Sequence, residues 1–359
     1  MNLSELFRIM IEREASDLFI SSDTVPRARI NGIVQSISGE NIPKEEMLRV
    51  AEHLLGTEQR KKQFAANFDI DFIYQEPNIG RFRINISRER DCPAVVARHI
   101  HTKVKSFEEL NLPAELLYKF CEEPSGLLIL SGPAGSGKST AIASMIEAIN
   151  QRSEKHIVTV EDPIEFLFED KKCVINQREL GTDVYSYVAA LRHVTQQSAD
   201  IIYIGNIRDE ETMHAAINAT ELGTFVVTTF HTINAVQAIT RIVNFFPPYL
   251  HDEIRMQLSV ILKGVISLRL LPRLDRAGRI PAYETMVVTP TIARLIRENK
   301  INQIQNFIDE GDLFGMQSFK KSLVGLVRGG VVAEEEARRV ADSRDEFNLE
   351  LKGLKRYQK

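Results

Sequence analysis

The residues with the clearest chemistry form one short run of small and basic side chains. In chain order they are Gly132, Pro133, Ala134, Gly135, Ser136, Gly137, Lys138 and Ser139, followed by Thr140. Glycines allow a backbone to turn its N–H groups toward a phosphate, a lysine at this place reaches the β- and γ-phosphates, and the hydroxyl that follows it can bind Mg²⁺. The run therefore predicts a phosphate-binding loop for ATP, with Ser139 as a ligand of Mg²⁺.

The elements on either side of this loop agree with that prediction. Residues 127–130 are consecutive apolar residues, which is typical of a buried strand, and residues 140–149 have helical spacing. A glycine-rich turn that arose by chance is the competing interpretation. A chance turn requires neither the strand before it nor the helix after it, so the context favours nucleotide binding.

Strands and helices continue to alternate through the second part of the chain. Apolar runs at residues 157–160, 201–204 and 225–229 indicate further buried strands of a parallel sheet. We therefore expect residues 118–359 to form an α/β domain of the RecA-like type. Within it we expect a helical region from about residue 283, which ends in a charge-rich amphipathic tail.

The first part of the chain mixes short strands with helices. Helical spacing appears near the N-terminus and at residues 44–67, and an Asn31-Gly32 turn indicates a hairpin. Strand patterns occur at residues 17–20, 28–30, 33–35, 68–74, 80–86 and 94–100. This pattern predicts an N-terminal α+β domain of the PAS-like type over residues 1–101, joined to the second domain by a linker over residues 102–117.

Composition narrows the classes of protein to be considered. The formal net charge of −4 gives no general attraction to nucleic acids, and three widely spaced cysteines indicate neither a zinc site nor a disulfide framework. This cysteine usage fits a reducing cytoplasm. The longest apolar stretch, residues 258–271, contains Lys263 and Arg269. We therefore expect no membrane span, and any membrane association would come through a partner.

Three further segments resemble motifs of the secretion and pilus ATPases. VEDPIEF at residues 160–166 is similar to their Asp box, and TFHT at residues 229–232 is similar to their histidine box. DIIYIGNIRD at residues 200–209 resembles their atypical Walker B motif, with Gly205 and Asn206 at its centre.

Segments near the C-terminus make the resemblance more specific. Residues 289–298 and 315–319 are similar to segments of the type IV pilus retraction ATPases, the PilT/PilU family. The paired-CxxC insertion and the longer N-terminal region of the extension and secretion ATPases are missing. Within the retraction group, the ADS sequence at residues 341–343 and the position of Arg90 favour the PilU side.

The resemblance implies a catalytic role for three side chains. Glu165 would be the base that orients the attacking water, with Glu161 nearby, and His231 would sense the γ-phosphate. Each also has an ordinary interpretation when taken alone. A Glu-Asp pair often caps a helix or lies in a solvated turn, and a single histidine often packs at the end of a strand.

Three arginines of the first domain are candidates for a trans-acting role. Arg81, Arg83 and Arg98 lie on predicted strands, and the two-residue period places the first two on one face. Solvated surface arginines are the alternative interpretation. An arginine that reaches the nucleotide of a neighbouring subunit requires a closed assembly, so the resemblance implies a homo-oligomer in the form of a hexameric ring.

The family resemblance also implies a function. The chain is expected to be an ATP-binding motor subunit that powers or assists pilus retraction, the pilin disassembly that underlies twitching motility. It would be cytoplasmic and peripheral to the inner membrane through the pilus machinery. The implied partners are an inner-membrane pilus platform protein and a PilT-like ATPase, with no nucleic acid. A DNA-translocating ATPase is disfavoured by the net charge and by the lack of a recognisable DNA-binding module.

Three departures from the family pattern leave a second function open. Asn206 stands where the family has a glutamate, and an amide lacks the charge that holds hydrated Mg²⁺. Thr224 replaces a histidine, and residues 191–198 lack a second arginine and an acidic pair. The alternative is a hydrolysis-impaired accessory subunit that works only beside an active PilT-like ATPase. A neutral replacement at residue 206, tolerated because Ser139 and the phosphates already hold the metal, is equally compatible with the sequence.

Overall fold

The structure is a computed structural model that describes residues 3–100 and 103–353, with only the backbone of Thr195. The chain divides into two compact units. One comprises the described residues up to 100 together with residues 165–167, and the other comprises residues 103–164 and 168–353. The predicted end of the first domain at His101 and the first linker residue, Thr102, lie outside the described residues.

The first unit contains a six-stranded antiparallel sheet. Its strands are β1 (Asp17–Ile20), β2 (Arg27–Ile30), β3 (Ile33–Ser36), β4 (Asp69–Glu76), β5 (Gly80–Glu89) and β6 (Cys92–Ile100). They lie in the order β3-β2-β1-β6-β5-β4. The helices are α1 (Leu3–Glu12), α2 (Lys44–Leu55) and α3 (Glu58–Asn67). Apolar residues of α1, α2 and the sheet form one core, in which Phe7 stacks on Phe82 with ring centroids 4.0 Å apart.

The stretch with helical spacing over residues 44–67 contains two helices in the structure. Gly56 has a φ of 61°, a conformation that ends α2 and that favours glycine. Thr57 then begins α3, because its side chain accepts a hydrogen bond from the Arg60 amide at 3.3 Å. Helical propensity continues across this point, and the break depends on these two residues.

The second unit is built on a seven-stranded sheet. Its strands are β7 (Gly126–Ser131), β8 (His156–Glu161), β9 (Val174–Glu179), β10 (Ile201–Ile204), β11 (Phe225–Phe230), β12 (Leu262–Pro272) and β13 (Arg279–Val287). They lie in the order β13-β12-β7-β11-β10-β8-β9, and every neighbouring pair is parallel except β12 with β13. Every residue of β7, β10 and β11 is buried, which agrees with a sheet covered on both faces.

Helices pack around this sheet and extend to the C-terminal part of the chain. They are α4 (Ala114–Cys121), α5 (Lys138–Arg152), α6 (Tyr187–Val194), α7 (Glu210–Glu221), α8 (Ala235–Val243), α9 (His251–Ile261), α10 (Pro290–Arg297), α11 (Ile304–Glu310), α12 (Phe319–Arg328), α13 (Glu334–Val340) and α14 (Arg344–Leu351). The mixed α/β fold class expected from the sequence is confirmed. Helix α4 begins at Ala114, inside the stretch expected to be a linker.

The structure differs from the expectation of a helical region from about residue 283. Strand β13 continues to Val287 and pairs antiparallel with β12 along nine residues of each strand. The first helix of this region, α10, begins at Pro290, and the Thr289 side chain caps it. Most residues of both strands are buried, and burial on both faces removes the alternation that marks a strand in a sequence.

The charge-rich tail contains α13 and α14, and its last residues, 354–359, lie outside the described part of the chain. No helix within the described residues is both long and apolar enough to span a membrane.

Candidate nucleotide-binding site

The phosphate loop connects β7 to α5, and all three of its glycines have a positive φ, a conformation that favours glycine. The φ is 144° at Gly132, 73° at Gly135 and 96° at Gly137. A Cβ added at Gly132 would lie 2.4 Å from the carbonyl oxygen of Leu268 and 2.6 Å from Ser136 Oγ. Backbone conformation and space therefore both require glycine at residue 132.

Lys138 is folded back onto its own loop. Its Nζ donates hydrogen bonds to the carbonyl oxygens of Gly132, at 2.8 Å, and Pro133, at 2.9 Å. The lysine is only 8% exposed, so the ammonium is held inside the loop that phosphates would enter. Ser139 and Thr140 are half-buried on the first turn of the 15-residue helix α5, where backbone N–H groups and the helix dipole favour an anion.

The carboxyl ends of β8 and β10 bring Glu161 and Gly205 together. The Gly205 amide donates to the Val160 carbonyl oxygen at 2.8 Å, and a Cβ on Gly205 would lie 3.3 Å from Glu161 Cα. Glu161 is buried and accepts hydrogen bonds from Thr159 at 2.7 Å and from Gln177 at 3.3 Å. Half-buried Asn206 follows Gly205, so the Walker B-like pair lies beside the end of β8 that carries Glu161.

His231 follows β11 at the same edge of the sheet. Partial burial and the positive charges of Lys138 and Arg208 lower its pKa, so the imidazole is neutral at pH 7. The strand before it is tied to the Walker B-like strand, because Thr228 Oγ1 donates to the Ile204 carbonyl at 3.0 Å and Thr229 Oγ1 donates to the Gly205 carbonyl. The structure therefore assembles the phosphate loop, the Gly205-Asn206 turn and His231 at one edge.

Thr224 lies at the opposite end of β11. It directly precedes that strand, whereas His231 directly follows it, which at about 3.3 Å per residue separates the two by about 20 Å. Thr224 is buried, and its hydroxyl faces the Ala199 carbonyl at 3.4 Å. Of the two substitutions, Asn206 lies at the phosphate edge and Thr224 does not.

Glu165 occupies the loop that follows β8. It is half-buried, and residues 165–167 group with the first unit. The loop is anchored on both sides by β9, because the Ile164 amide donates to Glu179 at 3.1 Å and the Phe168 amide donates to Gln177 at 3.0 Å. The role of Glu165 as the base stays a prediction from the resemblance.

The three candidate arginines differ in their partners within the first unit. Arg83 binds Asp71 through two guanidinium nitrogens, and Arg98 binds Asp17 at 2.8 Å and 3.0 Å. Arg81 is half-buried, and its Nε is shielded from solvent without a hydrogen-bond partner. Arg83 on β5 and Arg98 on β6 are thus already in ion pairs. A trans-acting role for any of the three arginines stays a prediction.

Two buried charged residues near this edge were not predicted as site residues. Glu284 on β13 is 1% exposed, and Arg269 on β12 is 8% exposed. A sequence signal existed, because each is a charge inside a strongly apolar stretch. The charge of Arg269 within its apolar stretch argues against a membrane span, but the sequence pattern does not indicate a role at the site.

The residues at this edge fit a Mg²⁺ ion that is held mostly by phosphate and water. Within residues 3–100 and 103–353 there is no cluster of three or more His, Cys, Asp or Glu side chains that could hold a metal. Mg²⁺ in nucleotide sites keeps several waters and takes one or two protein ligands. The Ser139 hydroxyl on the first turn of α5 would be such a ligand.

Comparisons with known proteins support the assignment of the phosphate loop to a nucleotide-binding site. The model of the family "Type II/IV secretion system protein" matches residues 3–338. The type IV pilus ATPase PilU of Pseudomonas aeruginosa is 36% identical over 98% of this chain and 92% of its own length. From the same organism, the "type IV pilus retractation ATPase PilT" is 37% identical over 97% of this chain and 100% of its own length.

Solved structures agree with these sequence comparisons. The crystal structure of the pilus retraction motor PilT with bound ADP has a TM-score of 0.86 and 36% identity, and the match covers 96% of this chain and 98% of PilT. The ATPase DotB of Legionella pneumophila, at 23% identity, shares the fold, with a TM-score of 0.84 over 94% of each chain.

The predicted resemblance is thereby confirmed over nearly the whole chain. So is the prediction of a nucleotide-binding P-loop enzyme. The chain belongs to the Type II/IV secretion system family and, within it, to the PilT and PilU group of P-loop ATPases.

Proposed function

We propose that this protein is an ATP-driven motor subunit of type IV pilus retraction. The observation that carries the proposal is the complete phosphate loop, with Lys138 held by the loop's own carbonyl oxygens, in a chain that matches PilT and PilU over nearly its full length. The subunit would act in a homo-hexameric ring at the inner membrane and bind a pilus platform protein.

The side chains at the phosphate edge support particular roles in hydrolysis. Lys138 would exchange the Gly132 and Pro133 carbonyls for the β- and γ-phosphate oxygens. Glu165 would orient the attacking water as base, with Glu161 in support. His231, neutral at pH 7, would donate a hydrogen bond to the γ-phosphate and so distinguish ATP from ADP.

Mg²⁺ bound to the phosphates would neutralise the charge that develops on the transferred phosphoryl group. This chain contributes the Ser139 hydroxyl to hold it. Glu161 is engaged by Thr159 and Gln177, which orients the carboxylate at the edge of the sheet.

Asn206 supports a second candidate function, that of an accessory subunit. Asn206 directly follows Gly205, which packs against the end of β8 that carries Glu161, and its amide adds no negative charge at this turn. A subunit of this kind would bind ATP and support an active PilT-like ATPase with little turnover of its own. Identities of 36% to PilU and 37% to PilT favour neither role.

Steady-state ATP hydrolysis with Mg²⁺ separates the two candidates. The purified protein is assayed alone and mixed with a PilT-like ATPase, with the Lys138→Ala variant as control, and pilus retraction is measured in cells that express each form. Turnover by the protein alone that depends on Lys138 supports the motor. The PilT-like ATPase is also assayed alone. Turnover in the mixture above that of the PilT-like ATPase alone, with none by this protein alone, supports the accessory subunit, and absence of ATP binding would refute both.

A further inference from the structure

Arg269 joins three separate parts of the second unit through one buried guanidinium group. Its Nη2 donates to the Ile233 carbonyl oxygen at 3.1 Å and to Asp342 Oδ1 at 2.6 Å, and its Nη1 donates to the Val340 carbonyl oxygen. The guanidinium also lies 3.8 Å from the ring centroid of Phe319. A buried arginine with this many partners is fixed in position.

The first of these parts is the loop that carries His231. Residues 231–234 connect β11 to α8, and Ile233, whose carbonyl Arg269 binds, is two residues beyond the histidine. The end of the loop is held by β13, because Glu284 accepts a hydrogen bond from the Ala235 amide at 3.0 Å. The antiparallel pair β12 and β13 therefore holds this loop at two points, once through each charged side chain.

The second part is the break between α13 and α14. Val340 is the last residue of α13, and Asp342 lies in the three-residue connection to α14. The Asp342 side chain is 42% exposed, whereas that of Arg269 is 10% exposed. Asp342 is thus the solvent-accessible partner of the buried Arg269 cation. Neutralising Asp342 would remove the one carboxylate from the Arg269 contacts described above and leave the buried charge without an ion pair among them.

The same residues border a groove along the phosphate loop. The groove has a volume of about 350 Å³. It is lined by residues of the phosphate loop, among them Pro133, Ala134 and Gly135, together with Ile233, Arg269 and Asp342. The C-terminal segment, the His231 loop and the phosphate loop therefore meet around Arg269.

We propose that Arg269 is a positioning residue for ATP turnover and that its ion pair with Asp342 couples the C-terminal segment to the loop carrying His231. The planar guanidinium suits this role because its rigid set of donors binds the Ile233 carbonyl oxygen together with the acceptors on Val340 and Asp342. A lysine ammonium does not reproduce this geometry. The coupling gives a partner that displaced α13 or α14 a direct way to change the position of His231. The effect on turnover rests on the proposed ATPase function.

The test compares three single variants of the full chain. Asp342→Asn removes the charge at nearly constant volume, and Arg269→Lys keeps the charge but not the fork. Asp275→Asn is the matched control, because it breaks the Arg273–Asp275 pair near the end of β12, at 2.7 Å, without touching the loop. Each variant is measured for kcat, for KM of ATP, for thermal midpoint and for hydrogen exchange at the amides of residues 232–235 without nucleotide.

We expect Asp342→Asn and Arg269→Lys to lower kcat by about ten- to a hundredfold, the scale on which a misplaced catalytic group slows an enzyme. KM should stay within about twofold, because the phosphate loop itself is unchanged. Exchange at residues 232–235 should accelerate in both variants, and the control should match the wild type.

Hydrogen exchange keeps this proposal separate from the proposed function. If the wild type hydrolyses no ATP under any condition, the motor proposal fails while the exchange data still decide whether Arg269 holds the loop. Unchanged exchange in a folded Asp342→Asn variant would overturn the coupling. So would full activity of Arg269→Lys, or a rise in KM with kcat intact.

Discussion

Glu284 Oε1 accepts a hydrogen bond from the backbone amide of Ala235 at 3.0 Å, inside the protein and at the first residue of α8. Gln305 donates to the other carboxylate oxygen at 3.2 Å. Burial nevertheless dominates and raises the pKa of Glu284 from 4.5 to about 7. The side chain that holds the end of the His231 loop therefore changes charge near neutral pH.

This relationship predicts a pH-dependent stability. The folded-state pKa is raised, so the contribution of Glu284 is fully present below pH 4.5 and is lost as the pH rises to about 7. The shift corresponds to an upper value of about 3 kcal/mol. Glu284→Gln keeps an acceptor for Ala235 and removes the titration. Between pH 5 and pH 8, the free energy of unfolding of Glu284→Gln should therefore increase relative to that of the wild type.

Denaturant unfolding of both proteins at several pH values checks the prediction. Gln305→Ala serves as control, since it removes a neutral hydrogen-bond donor and leaves the carboxyl group in place. Curves of stability against pH that run parallel for wild type and Glu284→Gln would show that Glu284 does not titrate in this range.

Lys138→Ala should greatly weaken ATP binding, because the ammonium is the mobile charge that reaches the β- and γ-phosphates. Charge-assisted hydrogen bonds contribute about 1.5–3 kcal/mol each, so we expect Kd to rise by roughly a hundredfold or more. Calorimetric titration with ATP measures this. Lys119→Ala, which removes an exposed lysine paired with Glu115, is the control.

The same variant should raise the pKa of His231. Burial and the Lys138 charge both lower that pKa, and the substitution removes the second cause. NMR titration of the histidine signals, with His231→Gln for assignment, gives the value. An unchanged pKa would mean that the two side chains do not interact.

Glu165→Gln should leave ATP binding intact and suppress turnover, because an amide keeps the shape of the side chain but cannot act as a base. Glu161→Gln should have the smaller effect on turnover, since that carboxylate is already engaged by Thr159 and Gln177. Binding and single-turnover assays of both variants decide between the two carboxylates. The opposite ranking would make Glu161 the base.

Asn206→Glu should lower the Mg²⁺ concentration needed for half-maximal turnover and should raise the maximal rate. The added charge would hold hydrated Mg²⁺ at the phosphate edge, and one charge-assisted hydrogen bond of about 1.5–3 kcal/mol corresponds to roughly ten- to a hundredfold in rate. Asn206→Gln controls for side-chain length. ATP hydrolysis is measured against Mg²⁺ at matched oligomeric state.

A wild type that already matches Asn206→Glu in rate and Mg²⁺ dependence would contradict this prediction. Asn206 would then be a neutral replacement, and the accessory-subunit function would lose its main support. A higher rate in both Asn206→Glu and Asn206→Gln would assign the effect to side-chain length.

The sequence alone determined the parts of the site whose chemistry is local. Residues 132–140 carry their glycines, lysine and hydroxyl in one continuous run between a strand and a helix, so no distant contact is needed to recognise them. The departure at Asn206 was visible in the same way, because it lies inside a recognisable segment. The alternating strands and helices of the second unit followed from apolar periodicity.

Only the tertiary structure decided where distant residues meet. It extended β13 to Val287, past the start of the helical region expected from about residue 283, and paired that strand with β12. It also brought Arg269 onto Ile233 and Asp342, which are 36 and 73 residues away along the chain. Backbone geometry over a few residues sets a local pattern, whereas the partner of a buried charge depends on which segments the whole chain packs around it.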